Sequence, residues 1–267
     1  IIGASDILRY RNKAQYPVCI QGNGFCAGFY AYKSHRIVPA ADCLLQPAEF
    51  KAGVEAFEKW ALAANVSSFD EKSGRGLLRH IYFRKAFATG EIMACAVING
   101  SSVPEPQMLV SFLQSALPGL KSVVLNINKN KTNVILGEKT KLLWGSEKIT
   151  DMLLGKKFII SPQSFYQVNH AQCEKLYSAA AELAGLSGSE TVLDMYCGAG
   201  TVGISLSDKC KSLCGIEIVP QAVENAIENA RLNNLSNAEF ICADAYEGAK
   251  ILTQKGAVSY THLTLPT

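Results

Sequence analysis

The chain has 267 residues, of which 48% are hydrophobic, so it is long enough to bury the cores of two domains. It has no run of about 18 apolar residues and its opening lacks the apolar core of a signal peptide, so we expect a cytoplasmic protein without a membrane span. Nine cysteines, with no Cys-x-x-Cys pair among them, argue against a disulfide framework and against a zinc site.

The formal net charge of +3 is unevenly distributed along the chain. Residues 1–166 hold 20 lysines and arginines against 12 acidic residues, a formal charge of +8, whereas residues 167–267 hold 6 against 11, a charge of −5. A basic part joined to an acidic part indicates that the first part binds a polyanion. A solvated basic surface is the alternative on charge alone.

Residues 1–160 are predicted to form a mostly β, α+β domain that binds a polyanion. Its opening segment, Ser5–Val18, reads as a strand in which Arg9, Arg11 and Lys13 occupy every second position and so share one face. Three cations on one face repel one another unless an anion lies across them, and a phosphate backbone would serve. A solvated edge strand protected by its charge is the alternative.

The other elements of this domain are predicted from hydrophobic periodicity and turn residues. An amphipathic helix is expected over Glu49–Ala64 and a short helix over Val110–Leu117. Strands are expected over Phe29–Val38, Leu77–Arg84, Glu91–Ile98, Ser122–Asn128, Asn133–Leu136, Lys139–Trp144 and Lys157–Ile160.

Over residues 161–257 helices and strands alternate, which predicts the first half of a Rossmann-like α/β domain. The predicted helices are Ala171–Gly185, one that begins near Val202, Pro220–Asn233 and Tyr246–Gln254. The predicted strands are Thr191–Leu193, Ser212–Ile218 and Ala238–Ala243.

The first of these strands leads into a glycine turn with the sequence TVLDMYCGAGT, residues 191–201. Gly198 and Gly200 permit positive φ and leave no Cβ between the backbone and a ligand, and the helix that follows supplies free N–H groups. Gly203 comes too soon for the dinucleotide pattern G-x-G-x-x-G. With Asp194 as its acid, the spacing is closer to D-x-x-x-G-x-G-T, the turn of class I S-adenosylmethionine (SAM) methyltransferases.

Three acids, Asp194, Glu217 and Asp244, follow three successive strands, at the edge where open α/β sheets bind ligands. Glu217 comes about 20 residues after the glycine turn, the position from which a carboxylate accepts the hydroxyl protons of a ribose. The alternative is an ordinary turn between strand and helix, with the acids as helix N-caps. Three acids at this spacing favour the SAM site.

Together these motifs resemble the RNA (uracil-5-)-methyltransferase family, in particular the bacterial 23S rRNA enzymes. SFYQVN followed by DMYCGAGT is the most specific part of the resemblance, which covers Ile1 to about Gly256. The matching segments, in chain order, are RYRNKAQYPV, GFYAYKSHRIV, TGEIM, SFYQVN, DMYCGAGT, GIEIVPQAVENAIENARLN and CADA.

The resemblance implies roles for individual residues at the cofactor and at the target base. Gln167 would lie at the SAM site near the base, and Phe165 would stack on the flipped uracil or its neighbour, or else pack at the domain interface. Within the glycine turn, Tyr196 and Thr201 would lie against SAM. Glu217 would hold the ribose and Asp244 the adenine side.

The implied RNA contacts lie in the basic domain. They are Arg9, Arg11, Lys13, Arg79 and His80. His80 directly follows Arg79 in a predicted strand, so one of the two should face inward, and a core histidine is an equal alternative.

Cys43, in the segment ADCLLQ, resembles the last of four cysteines that hold a [4Fe–4S] cluster in this family. The resemblance implies three closely spaced partners, but only Cys19 and Cys26 precede it here and they do not match. We expect Cys43 to be a cluster ligand of a longer protein and this chain to hold no cluster.

In the family, a cysteine thiolate adds to carbon 6 of a flipped uracil, carbon 5 attacks the SAM methyl group, and a carboxylate then removes the carbon-5 proton. That cysteine and that carboxylate lie beyond the residues that match here. We therefore expect no catalytic residue in this chain, a non-native tail at residues 258–267, and a fragment that is inactive alone.

The resemblance implies SAM-dependent methylation of uridine C5 in 23S rRNA by a monomer. A related enzyme of tRNA is the first alternative, and a non-catalytic fragment that binds SAM and RNA is the second. A methyltransferase of proteins or small molecules is the third, but it leaves the basic first part unexplained.

Overall fold

The computed structural model describes residues 1–21 and 24–254, which form two compact units. The first comprises Ile1–Asp151, Ile160–Gln163 and Gln167–Ala171, and the second comprises Met152–Ile159, Ser164–Tyr166 and the chain from Gln172 onward. The expected α/β fold class is confirmed, whereas the domain boundary near residue 160 stays a prediction. The tail predicted at residues 258–267 lies outside the described residues. Within these residues no helix is long and apolar enough to cross a membrane.

A seven-stranded sheet forms the first unit. Its strands are β1 (Lys13–Gln21), β2 (Gly24–Tyr30), β3 (Ile37–Pro39), β4 (Leu78–Lys85), β5 (Ile92–Ile98), β6 (Leu120–Ile127) and β7 (Lys139–Gly145). They lie in the order β3-β2-β1-β4-β5-β6-β7, and each neighbouring pair is antiparallel except β5 and β6, which are parallel.

Two helices, α1 (Glu49–Ala63) and α2 (Pro106–Ala116), share one hydrophobic core with this sheet. Phe50 of α1 stacks on Phe83 of β4 with ring centroids 5.2 Å apart, and Phe57 meets the same ring edge-on at 5.7 Å. Each fully buried phenylalanine contributes roughly 1.5–3 kcal/mol through burial. Gly53 allows this approach, because a Cβ there would lie 2.6 Å from the Phe83 ring.

Two predictions for this sheet are wrong. The single strand expected over Phe29–Val38 is divided, because β2 ends at Tyr30 and the chain turns through Lys33, whose φ is 51°, before β3 begins. The strand expected over Asn133–Leu136 does not form, and β6 pairs with β7 instead. The Asn128 side chain donates to the carbonyls of residues 134 and 135 at 2.7 and 2.9 Å, so this segment is satisfied without a strand partner.

A two-stranded sheet follows, made of β8 (Ile149–Leu153), which the sequence did not predict, and β9 (Lys156–Ile160). The chain then alternates helix and strand as predicted, and its three strands are parallel in the order β10-β11-β12. These elements are α3 (His170–Ala184), β10 (Thr191–Met195), α4 (Thr201–Leu206), β11 (Ser212–Glu217), α5 (Pro220–Leu232), β12 (Ala238–Cys242) and α6 (Ala245–Gln254).

Candidate functional site

The glycine turn after β10 has three residues in the left-handed region. Tyr196 has a φ of 64°, Gly198 of 55° and Gly200 of 77°. A Cβ on Gly198 would meet no described atom within 4 Å, whereas a Cβ on Gly200 would lie 2.9 Å from the Cδ1 atom of Ile204. Gly198 therefore leaves room for a ligand beside the backbone, and Gly200 lets α4 begin close against the turn.

Asp194 connects β10 to the start of α4. Its Oδ2 atom accepts the N–H of Gly203 at 2.9 Å. Gly203 has a packing role of its own, because a Cβ there would lie 2.5 Å from Leu213 and 3.1 Å from this carboxylate. Burial raises the pKa of Asp194 to about 6, opposed by the Gly203 N–H and supported by the negative charge of Glu217.

Glu217, at the carboxyl end of β11, holds the glycine turn beside the start of α5. Its Oε2 atom accepts the N–H of Gly198 at 3.1 Å, and its Oε1 atom accepts the N–H of Val219 at 2.9 Å. Each carboxylate oxygen has two lone pairs, so Glu217 can still accept hydroxyl protons from a ligand.

A cavity of about 290 Å³ opens at this end of the parallel sheet. Tyr196 and Tyr246 are 63% and 76% exposed, so both rings are accessible to a planar ligand. Tyr246 was not singled out from the sequence, although it follows a predicted site acid by two residues. The residues that define the cavity include Tyr196, Glu217, Ile218, Asp244 and Tyr246.

The alternative that the acids cap helices holds for two of them. Asp194 caps α4 through Gly203, and the Oδ1 atom of Asp244 accepts the N–H of Glu247 at 2.9 Å in the first turn of α6. Capping and ligand binding are compatible, because a cap uses one of several lone pairs. Both Glu217 and Asp244 line the cavity while making these contacts.

Two asparagines of the α5 region bind the backbone of β9, one of them also contacts the glycine turn, and both were missed from the sequence. Asn229 is fully buried, donates to the carbonyl of Ala199 at 3.0 Å and accepts the N–H of Ile159 at 2.8 Å. Asn233 binds the backbone of Lys157 with both ends of its side-chain amide. Its oxygen accepts a hydrogen bond from the Lys157 N–H at 2.8 Å, and its nitrogen donates to the Lys157 carbonyl at 2.7 Å. Amides four residues apart on one side of a predicted helix were the available signal.

Two buried thiols of the second unit, those of Cys197 and Cys173, are held in the protonated form. Burial, followed by the charges of Asp194 and Glu217, raises the pKa of Cys197 to about 12. Burial also raises the pKa of Cys173. A thiol that stays protonated is a poor nucleophile.

The remaining residues expected at SAM or at the base have distinct environments. Thr201 lies at the start of α4 with its Oγ1 atom 3.4 Å from the hydroxyl of Tyr177. Phe165 is 72% exposed. Gln167 belongs to the first unit, where its backbone carbonyl accepts a hydrogen bond from the side-chain amide of Asn12 at 2.8 Å. The roles of these three residues stay predictions.

The expectation that Arg9 shares a strand face with Arg11 and Lys13 is wrong. β1 begins only at Lys13, and Arg9 precedes it with a φ of 58°. Its guanidinium pairs with Asp42 at 2.8 Å and donates to the carbonyls of Cys43 and Gln46, both at 3.1 Å. Because of these contacts, Arg9 does not belong to the alternating pattern of β1, and its charge is paired with that of Asp42.

Lys13 lies in a crowded group of cations. It is the direct cross-strand partner of Arg84, which was not singled out from the sequence. Burial lowers the pKa of Lys13, and the nearby charges of Arg84 and Arg11 lower it further. Directly opposed like charges destabilise a sheet.

Arg79 and His80 are both buried, each with 6% of its surface exposed. The prediction that one of them faces inward holds for both, and His80 is buried as in the core-histidine alternative; both line the same cavity of the first unit. The pairing of β4 with β5 shifts register between Leu78 and His80, so Arg79 occupies a β-bulge. A bulge interrupts the alternation of side chains, which explains how two consecutive residues reach one cavity.

Cys43 lies half-buried in the turn held by Arg9. Across residues 1–21 and 24–254 no group of three or more His, Cys, Asp or Glu side chains is placed to hold a metal ion. A [4Fe–4S] cluster needs four ligands, so the described residues do not fit one.

Comparisons with known proteins match most of the chain. Residues 186–257 match the family model described as a methyltransferase domain. An uncharacterized RNA methyltransferase of Halalkalibacterium halodurans is 44% identical over 244 residues, which are 91% of this chain and 53% of the relative. One from Clostridium acetobutylicum is 43% identical over 255 residues, 96% of this chain and 55% of the relative. The chain thus spans about half the length of these curated relatives.

A solved structure is similar to both units of the chain. It is the tRNA (uracil-54, C5)-methyltransferase of Pyrococcus abyssi in complex with S-adenosyl-L-homocysteine. The TM-score is 0.75 at 27% sequence identity, and the match covers 90% of this chain and 57% of that one.

Proposed function

We propose that this chain is part of a SAM-dependent enzyme that methylates carbon 5 of uridine in RNA. As its motifs predicted, the chain is similar over about nine-tenths of its length to uncharacterized RNA methyltransferases of bacteria. The observation that carries the proposal is the cavity at the carboxyl ends of the parallel strands, where Glu217, Asp244 and two exposed tyrosines meet beside the glycine turn. A structural relative described as a uracil C5 methyltransferase supports the same reaction.

The residues around this cavity fit the parts of SAM. Glu217 would accept the ribose hydroxyls and Asp244 would bind the adenine amino group, while Tyr196 or Tyr246 would stack on the ring. Gly198 leaves space beside the turn, and Asp194, Gly200 and Thr201 shape it. Bound SAM supplies an electrophilic methyl group, and these residues position it.

We further propose that the cysteine nucleophile and the general base belong to the part of the whole protein that is not in this sequence, so that this chain alone binds SAM without methylating RNA. Gln167 and Phe165 would contact the target base. Arg11, Lys13, Arg79 and His80 would contact RNA, whereas Arg9 would act indirectly, through its contacts with the turn around Cys43. The protein would act in the cytoplasm as a monomer.

Two candidate RNA targets follow from different observations. The sequence motifs resemble the 23S rRNA enzymes, whereas the structural relative is described as a tRNA enzyme. We favour 23S rRNA on the resemblance of the sequence motifs. Cys43 would then hold a [4Fe–4S] cluster in the longer protein, with ligands supplied by residues outside this chain.

SAM binding by the 267-residue chain tests the proposal directly, by isothermal titration calorimetry. We expect Glu217→Ala to weaken SAM binding about 10- to 100-fold, because a hydrogen bond to a charged group contributes about 1.5–3 kcal/mol. Glu182→Ala, which changes an exposed glutamate of α3, is the matched control and should bind like wild type. Equal affinities in all three proteins, or no binding by wild type, would contradict the assignment.

A further inference from the structure

The sheet of the first unit forks near its edge. β1 pairs with β4 from Lys13 to Pro17, but from Val18 onward it pairs with β2 alone. Residues 67–70 enter the gap, where the Ser68 hydroxyl lies 3.0 Å from the backbone nitrogen of Ile20 and the N–H of Phe69 donates to the carbonyl of Leu78 at 2.8 Å. A cavity of about 880 Å³ opens at this fork.

Two buried side chains on the wall of this fork cavity have unused polar atoms. Neither Nε of Arg79 nor Nδ1 of His80 has a hydrogen-bond partner in the described part of the chain. The Arg79 guanidinium lies 4.4 Å from the Phe69 ring centroid and is anchored by the carbonyls of Asn128 and Asn130, both at 2.8 Å. Buried polar atoms without partners destabilise a fold unless a ligand or water engages them.

The formal charge of the side chains that line the fork cavity is positive, because Arg36, Lys72 and Arg79 outnumber Asp70 and Glu71. Its two acids already have partners: Glu71 binds the Tyr30 hydroxyl at 3.1 Å and pairs with His35, and Asp70 accepts the Ser73 hydroxyl at 2.6 Å. Arg36 and Lys72 are exposed on the same lining, and the charge of Lys72 contributes to the lowered pKa of Asp70. The cavity therefore offers cationic groups at its lining and polar atoms with aromatic rings in its wall.

We propose that the fork cavity binds an unstacked nucleotide of the RNA substrate, at a site formed by the first unit alone. The base would lie among Phe69, Arg79 and His80, and its phosphate would lie near Arg36 and Lys72. The inference rests on the proposed function, since it takes RNA as the substrate, and it adds a second nucleotide contact formed by residues outside the SAM site.

The chemistry of a single nucleotide matches each part of this wall. A base is a planar ring that stacks on aromatic and guanidinium groups, and its edge has both donors and acceptors for an imidazole. Burial, together with the charge of Arg79, lowers the pKa of His80 to about 4, so at neutral pH the ring is uncharged and has one donor and one acceptor nitrogen. A paired, stacked base could not enter, so the site selects single-stranded RNA.

The test uses the 267-residue chain and a fluorescein-labelled single-stranded RNA 12-mer, with the dissociation constant measured by anisotropy. We expect the double variant Arg36→Ala/Lys72→Ala to bind about 5- to 10-fold more weakly than wild type, within the range expected when contacts to one nucleotide are lost. Lys51→Ala/Lys59→Ala removes two exposed lysines of α1 that do not line the fork cavity, so it matches the loss of charge and should change binding less than 2-fold.

Photocrosslinking locates the nucleotide independently of affinity. An RNA 12-mer with one 4-thiouridine should crosslink to peptides that contain Tyr30 or Phe69, and the Arg36→Ala/Lys72→Ala variant should lose that crosslink. If wild type binds RNA but the two double variants bind equally and crosslinks map elsewhere, the fork cavity is not the site, while the proposed function stands. If wild type binds no RNA, the proposed function itself fails.

A titration with uridine monophosphate separates RNA from a free nucleotide as the occupant. Weak binding of the mononucleotide, in the millimolar range, with a clear loss of RNA affinity in the variant supports an RNA nucleotide. Tight mononucleotide binding that depends on Arg36 and Lys72, with unchanged RNA affinity, would overturn the proposal in favour of a free nucleotide.

Discussion

Asp194 shows how one carboxylate can serve the fold and the site at once. It caps α4 through Gly203, yet its burial holds its pKa near 6, well above the usual value of 3.8. Because the folded state binds this proton more tightly than the unfolded state, the unfolding free energy falls as pH rises from about 4 to about 6 and is constant above that range. The ionised acid is therefore tolerated near neutral pH at some cost in stability.

We expect Asp194→Asn to remove this pH dependence, because asparagine keeps an acceptor for the Gly203 N–H and does not ionise. The variant should gain about 1–3 kcal/mol in unfolding free energy relative to wild type between pH 4 and pH 7. Urea unfolding at both pH values measures the difference. Glu182→Gln, at an exposed site, is the control, and an Asp194→Asn difference that is the same at both pH values would contradict the argument.

Cys197 should be chemically silent although it lies in the glycine turn. Its thiol is buried and its pKa is raised to about 12, whereas Cys242 is exposed at the end of β12. We expect iodoacetamide at pH 8 to alkylate Cys242 in the native chain and to leave Cys197 unmodified until urea is added. Peptide mass spectrometry distinguishes the two, and rapid native labelling of Cys197 would show that the turn opens.

At the scale of elements, α1 depends on a close approach to β4. Gly53→Ala would ordinarily stabilise a helix interior, but here the new Cβ would lie 2.6 Å from the rigid Phe83 ring. We expect a net loss of about 1–3 kcal/mol in unfolding free energy, measured by urea denaturation. Glu55→Ala, at an exposed site of the same helix, controls for helix propensity and should change stability by less than about 0.5 kcal/mol.

The alternating helices and strands of the second unit could be predicted almost to the residue, because parallel strands and amphipathic helices follow local periodicity. Glu217 and Asp244 could be placed from the same pattern, since strand ends meet at one edge of a parallel sheet. The fork of β1 and the bulge at Arg79 could not be predicted, because both depend on segments that are distant in sequence. Residues 67–70 enter beside β4 and create the fork, and pairing with β5 sets the register of Leu78 and His80. The position of Arg9 escaped prediction for the same reason, since its partners lie more than 30 residues away.

At the scale of the whole molecule, the uneven charge predicts that RNA affinity depends on salt concentration. The basic part should bind single-stranded RNA with an affinity that falls as salt rises, and each phosphate contact adds about 0.7 to the slope of log K against log salt. Arg11→Ala/Lys13→Ala should lower that slope by about 1.4 if both side chains bind phosphate. Lys51→Ala/Lys59→Ala is again the control, and an identical slope in all proteins would assign the two residues to a merely solvated surface.

Asn229 acts as a rigid connection between two parts of the second unit. One end of its amide binds the carbonyl of Ala199 in the glycine turn, and the other end binds the N–H of Ile159 in β9. Any ligand that immobilises the turn therefore also restrains a strand that contributes nothing to the cavity. Ligand binding should then slow hydrogen exchange at the Ile159 amide, although that amide does not line the cavity. In the Asn229→Ala variant, ligand binding should leave the exchange rate of this amide unchanged.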